Sequence, residues 1–130
     1  MATDTTLDPI SREIWDMKYR FKSPDGSPVD QTVDDTWARV AKALAAPEKA
    51  KVRARWEKAF AEVMSGYKFL PAGRIIAGAG TDRTVTLFNC FVMGTIDDDM
   101  GAIFDGLREA ALTMQQGGGI GHDFSTLRPK

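Results

Sequence analysis

The chain has one cysteine, Cys90, in the apolar run Leu87-Phe88-Asn89-Cys90-Phe91-Val92-Met93-Gly94. A thiol can act as nucleophile, metal ligand or redox group, always as the thiolate. No histidine or basic residue lies beside it, so two readings stay open: a small buried hydrophobe on a strand, or a reactive thiol. Asn89 precedes it, and an amide within an apolar strand needs hydrogen-bond partners if buried. Neighbouring strand residues point to opposite faces, so the two side chains are not expected to share a site unless a bulge intervenes.

Two glycine-rich segments flank this run. The first is Pro71-Ala72-Gly73-Arg74-Ile75-Ile76-Ala77-Gly78-Ala79-Gly80, and the second is Gly117-Gly118-Gly119-Ile120-Gly121. The second follows a helical pattern and does not open one, which argues against a dinucleotide fingerprint or a P-loop. It reads either as a helix stop with a turn or as backbone that closely approaches a phosphate or sugar. His122, the single histidine, is expected to be exposed or structurally hydrogen-bonded ahead of any proton-carrying role. Arg74 and Arg128 suit pairing with a phosphate or a carboxylate. Asp97, Asp98 and Asp99 are explained by capping and helix-dipole complementarity better than by a cation.

A lone cysteine excludes an internal disulfide and a multi-cysteine zinc site, so no metal is expected. The net charge of −1 gives no broad attraction to nucleic acid. Lys49, Lys51, Arg53, Arg55 and Lys58 are interleaved with Glu48, Glu57 and Glu62, which fits a solvated helix face. No apolar run is long enough for a membrane span, and Met1 to Thr6 lack a signal peptide's apolar core. A reducing cytoplasm is therefore the expected compartment.

The elements that must position these residues follow from periodicity. Asp8 is expected to cap a helix with Pro9 at its first position, carrying the stripe Ile10, Ile14, Met17 and Phe21. Ser23 to Pro28 is a loop. Thr32 and Asp35 form a capping box for a second helix with Val33, Trp37, Val40, Ala41 and Leu44. Pro47 begins a third helix, with Val52, Trp56, Phe60, Val63 and Met64 on one face and Gly66 as its stop. Thr84 to Met93 reads as a strand apolar on both faces, expected to be covered on both. Met100, Ile103, Phe104, Leu107, Ala111 and Met114 give a fourth helix. One strand makes no sheet. The sequence offers one further candidate strand, Arg74 to Ala77, so the chain reads as the opening portion of something larger or a subunit that borrows strands. The fold class is mainly α with a small β part.

The segments Phe69 to Gly80, Phe88 to Val92 and Thr113 to Gly121, in that order, resemble the amino-terminal region of ribonucleotide reductase large subunits, the adenosylcobalamin-dependent class II type above all. Asp123 to Lys130 fits the same type. So do Ile14-Trp15, Lys18-Tyr19-Arg20, Asp34 to Trp37 and Arg39-Val40-Ala41. The resemblance implies a helical domain over 1–68, then over 69–130 the first strand-helix unit of a ten-stranded α/β barrel, incomplete here. It implies reduction of ribonucleotides by thiyl-radical chemistry, with Cys90 as one of two redox cysteines that end as a disulfide. Ala72, Asn89 and Gly119 become the implied substrate contacts. The partner cysteine, the radical cysteine and the cobalamin region are all expected outside this chain. The implied partners are a ribonucleotide, the remainder of the polypeptide and an external dithiol, with no nucleic acid and no membrane. A thiol without a partner cannot complete the reduction, so the isolated chain is expected to be inactive. The rival reading is a non-catalytic interaction or nucleotide-binding module, motivated by the unpaired apolar strand.

Overall fold

A computed structural model describes residues 7–129, and they are mainly helical with one small parallel sheet. Four helices, α1 (Pro9–Lys18), α2 (Val33–Ala45), α3 (Ala50–Met64) and the short α4 (Gly73–Gly78), precede β1 (Cys90–Val92), α5 (Met100–Gln115) and β2 (Gly119–Gly121). The chain divides into two compact units, one through Asp82 and one from Arg83 onward.

In the first unit, α2 carries the core. Trp37, Val40 and Ala41 are buried with Met64 of α3 and with Ile76 and Ala79 at the α4 end. Burying such side chains contributes about 1.5–3 kcal/mol each, and the apolar stripe of α2 is what makes that burial available. The capping box forms as expected. Thr32 Oγ1 accepts from the Asp35 amide at 3.2 Å, and the Asp35 carboxylate accepts from the Thr32 and Gln31 amides at 2.7 and 2.9 Å. Burial pushes the Asp35 carboxyl up, but these hydrogen bonds outweigh it and hold it below the usual carboxylate value. A depressed carboxyl stabilises the fold above its unfolded value, and the contribution is lost as pH falls through the folded one. We expect Thr32→Ala to cost about 1 kcal/mol of unfolding free energy, read as a lower urea midpoint at pH 7 with unchanged slope.

Several expectations need correction. Asp8 occupies the N-cap position of α1 but its side chain makes no capping bond. The first helix ends at Lys18, because Phe21 is drawn into other pairing. Its amide donates to Asp30 Oδ2 at 3.2 Å and its carbonyl accepts from the Val29 and Asp30 amides. Ile10, Ile14 and Met17 stay exposed. The third helix starts at Ala50 and not at Pro47, since the Glu48 amide is still bonded back to Ala45 O at 3.0 Å. Of its stripe only Met64 is buried, while Trp56 and Val63 are exposed. Gly66 does end it, with φ of +64°.

Arg74 to Ala77 is helical, not a strand. Ala72 O accepts from the Ile75 and Ile76 amides at 2.8 and 3.2 Å, and the buried Ile76 packs into the α2 core. A four-residue apolar run does not distinguish strand from helix by its period, and the core decided it.

In the second unit, β1 pairs with β2 in parallel, joined by α5. The register sets Cys90 opposite Gly119, Phe91 opposite Ile120 and Val92 opposite Gly121. The Asp99 side chain caps α5 by accepting from the Gly101 and Ala102 amides at 2.7 and 3.3 Å. The ladder is much shorter than the expected strand Thr84 to Met93. It is also not covered on both faces: Cys90 is exposed and Val92 is 98% exposed. The α5 stripe is open likewise, with Met100, Phe104, Leu107 and Met114 exposed and Ala110 buried. One three-residue neighbour strand and one helix cannot enclose a two-faced apolar strand.

Candidate functional site

The residues able to do chemistry in the second unit converge where β1 meets β2. The Gly119 amide donates to Asn89 O at 2.8 Å, which starts the ladder. A methyl built on Gly119 would stand 3.3 Å from Asn89 O and 3.4 Å from Cys90 Sγ. The cysteine, the Asn89 backbone and Gly119 therefore form one patch, with the Cys90 and Asn89 side chains both exposed.

Three glycines do three jobs here. Gly117, at φ of +86°, turns the chain at the end of α5, and its amide donates to Met114 O at 2.8 Å. Only glycine takes that conformation at little cost. Gly118 is buried beneath Phe91: a methyl there would meet the ring at 2.6 and 2.8 Å and Thr113 Cγ2 at 3.0 Å. The close seating of Phe91 on a bare backbone locks the register that sets Cys90 against Gly119. Gly119 leaves the sulfur open on the side facing β2. We expect Gly119→Ala to fold once the Asn89 carbonyl yields by a few tenths of an ångström, since the methyl would stand 3.3 Å from it, and to slow alkylation of Cys90 by iodoacetamide several-fold with an unchanged circular dichroism spectrum.

The segment 117–121 was open between a helix stop and a ligand-shaped loop. Gly117 makes the stop, and Gly119–Gly121 is the second strand that the sequence did not reveal. His122 follows it. Its ring is half-buried, 5.6 Å from the Phe124 ring, and Nδ1 is buried without a hydrogen-bond partner among the described residues. Nδ1 thus makes no structural hydrogen bond among the described residues, while the ring as a whole stays partly exposed. Arg128 Nε pairs with Asp98 Oδ2 at 3.1 Å, the carboxylate alternative of its expected partners. Asp98 is thereby engaged with an arginine, and Asp99 with its cap. Among the described residues no group of three or more His, Cys, Asp or Glu side chains is arranged to hold a metal.

Ala72 lies in the first unit, exposed, at the N-cap position of α4. Asn89, Cys90 and Gly119 belong to the second.

Sequence reasoning missed a buried polar cluster behind α4. Asp30 and Arg39 are nearly fully buried and pair at 2.9 Å. Arg39 Nε donates to both Asp30 oxygens at 3.2 Å. Thr36 Oγ1 donates to Asp30 Oδ2 at 2.8 Å and accepts from Trp15 Nε1 at 3.0 Å. Asp30 falls between the loop Ser23 to Pro28 and the Thr32 cap and belongs to no apolar stripe, so nothing in the sequence marks it as buried.

A cleft of about 690 Å³ also lies in the first unit, lined in part by Arg12, Glu13, Asp16, Asp34, Trp37 and Tyr67. No helix among the described residues is long and apolar enough to cross a membrane.

Comparison with known proteins gives the following. Residues 5–84 match the family model described as the ribonucleotide reductase all-alpha domain, and residues 88–130 match that described as the ribonucleotide reductase barrel domain. A vitamin B12-dependent ribonucleoside-diphosphate reductase of Mycobacterium tuberculosis is 34% identical over 115 residues, 86% of this chain and 16% of the relative. A protein of the same description from Thermoplasma acidophilum is 42% identical over 71 residues, 55% of this chain and 9% of the relative. The ribonucleoside-diphosphate reductase subunit alpha of Helicobacter pylori is 32% identical over 111 residues, 85% and 14% respectively. The chain spans 16% of the length of the Mycobacterium relative.

Proposed function

Because the chain belongs to the ribonucleotide reductase large-subunit family, as an amino-terminal portion, we propose that it supplies one redox cysteine and part of the substrate pocket to a complete reductase. In that reading residues 1–68 serve as the helical domain and 69–130 open the barrel. Cys90 is one of two cysteines that give up two electrons and two protons to the ribonucleotide, whose ribose hydroxyl leaves as water, and that end as a disulfide. An external dithiol then takes over that disulfide by exchange and restores both thiols. Ala72, Asn89 and Gly119 contact the substrate through backbone or small groups. The complete enzyme acts in the cytoplasm, on a ribonucleotide and not on nucleic acid.

One observation carries this reading: an exposed thiol stands against a glycine backbone, 3.4 Å from where a side chain at 119 would begin. Disulfide exchange requires that a partner reach the sulfur, and the bare backbone at Gly119 puts no side chain between the sulfur and β2.

The B12 dependence of the Mycobacterium and Thermoplasma relatives suggests adenosylcobalamin as cofactor. Residues of this chain do not fit that group. A corrin needs a broad apolar seat, and the cleft in the first unit intersperses Arg12, Glu13, Asp16 and Asp34 with Trp15, Val33 and Trp37. The cofactor belongs in this reading to the complete enzyme, outside this chain.

The test is an assay of nucleotide reduction with adenosylcobalamin and a dithiol. We expect no turnover by the 130-residue chain alone and turnover once the remainder of the polypeptide is supplied. Turnover by the chain alone would refute the shared-site reading.

A further inference from the structure

We propose that Arg39 is a positioning residue for substrate: with Asp30 it clamps the carboxyl end of α4 and thereby fixes Ala72 at the other end. The proposal rests on the reading of Ala72 as a substrate contact.

Helix α4 has six residues, too few to hold itself in water. Its last carbonyls lack partners within the helix, as at any helix end. Arg39 supplies them from α2. Its Nη1 donates to Ala79 O and its Nη2 to Ile76 O at 3.1 Å. The same Nη2 reaches Tyr19 O at 3.3 Å and Asp30 Oδ2 at 2.9 Å. One guanidinium therefore ties α2, the segment after α1, the Asp30 loop and the end of α4. Its planar fork with several donors is what permits this, and a lysine ammonium has no equivalent.

Both ends of α4 show that the contact is built and not incidental. At the carboxyl end Gly80 has φ of +73°, and a methyl there would meet Arg39 Cγ at 2.8 Å and Arg39 O at 3.0 Å. Arg39 approaches so closely only because residue 80 has no side chain. At the amino end a methyl on Gly73 would lie 3.3 Å from the Tyr19 hydroxyl, so the Tyr19 ring covers the backbone next to Ala72. Tyr19 thus touches α4 at its start and lends its carbonyl to the clamp at its end. Within α4, Ala72 O receives the Ile75 and Ile76 amides. A shift of the helix end is transmitted directly to Ala72.

The experiment uses Arg39→Lys, which keeps the charge opposite Asp30 and loses the fork, in a complete reductase containing this chain. We expect KM for the ribonucleotide to rise about tenfold with kcat held within about threefold, the pattern of a lost binding contact. Amide exchange at Ile75, Ile76 and Ala79 should quicken, while amides of α2 and α3 keep their protection. The proposal is overturned if KM is unchanged, if the α4 amides are unchanged, or if α2 and α3 loosen together with α4. The underlying reading fails separately. Ala72→Val leaving KM untouched would remove Ala72 from the pocket whatever Arg39→Lys does.

Discussion

Replacing Cys90 by serine in the complete reductase is expected to abolish reduction supported by a dithiol, with a fall of at least about a thousandfold, the scale on which removing a bond-making group acts. Serine keeps the size and cannot form a disulfide. The fold should not register the change. In the 130-residue chain Cys90 is exposed and its side chain fills no core position, so the unfolding free energy of that chain should move by no more than about 0.5 kcal/mol. That separation between activity and stability is the discriminating feature. If Cys90→Ser reduced nucleotides at the parent rate, the thiol would be ornamental to the chemistry, and the patch beside Gly119 would be better explained as a docking surface. If activity and stability fell together, the sulfur would be acting through packing, against its exposure.

What the sequence disclosed and what it withheld divide along contact range. Thr32 and Asp35 are three residues apart, so the capping box is written locally and the structure reproduces it. Gly66 and Asp99 are similar, since each needs only its neighbours to stop or start a helix. The α2 stripe was legible because five of its positions obey one period and the core accepts them. Helix α4 was not: Arg74 to Ala77 carries no period long enough to choose, and the choice is made by Ile76 entering a core built by residues some forty positions earlier. The glycine cluster was half legible. Its stop at Gly117 is local, but strand β2 exists only because the β1 segment lies beside it. A glycine strand has none of the β-branched or aromatic signals by which strands are recognised.

The site follows the same rule. The sequence presented the thiol as either buried or reactive, and spacing alone could not choose. The placement of Cys90 against Gly119 is a property of a pairing between residues about thirty positions apart in the chain. The three ordered motifs carry the family resemblance without any pairing, and the family models match both units. The exposed faces of Val92, Phe104 and Leu107 are also intelligible in these terms. The two-stranded sheet and α5 offer too little surface to cover them.

The buried pair Asp30–Arg39 carries the largest stability prediction. The two side chains are only 4% and 9% exposed. Removing one partner of such a pair leaves the other charge buried without its counter-ion, so Asp30→Ala is expected to cost roughly 3–5 kcal/mol. The loss is compounded because Asp30 also accepts from the Phe21 amide and the Thr36 hydroxyl. A small domain is stable by only about 5–15 kcal/mol, so this single change should lower the melting temperature more than any surface substitution. Arg39→Met should also destabilise, since it strands the carbonyls of Ile76 and Ala79. The double variant is the decisive one. With both charges gone there is no stranded ion, and its cost should fall well short of the sum of the two singles. A thermal or urea double-mutant cycle that came out additive would mean that Asp30 and Arg39 act independently. The clamp on α4 would then reduce to ordinary packing of its helix against α2.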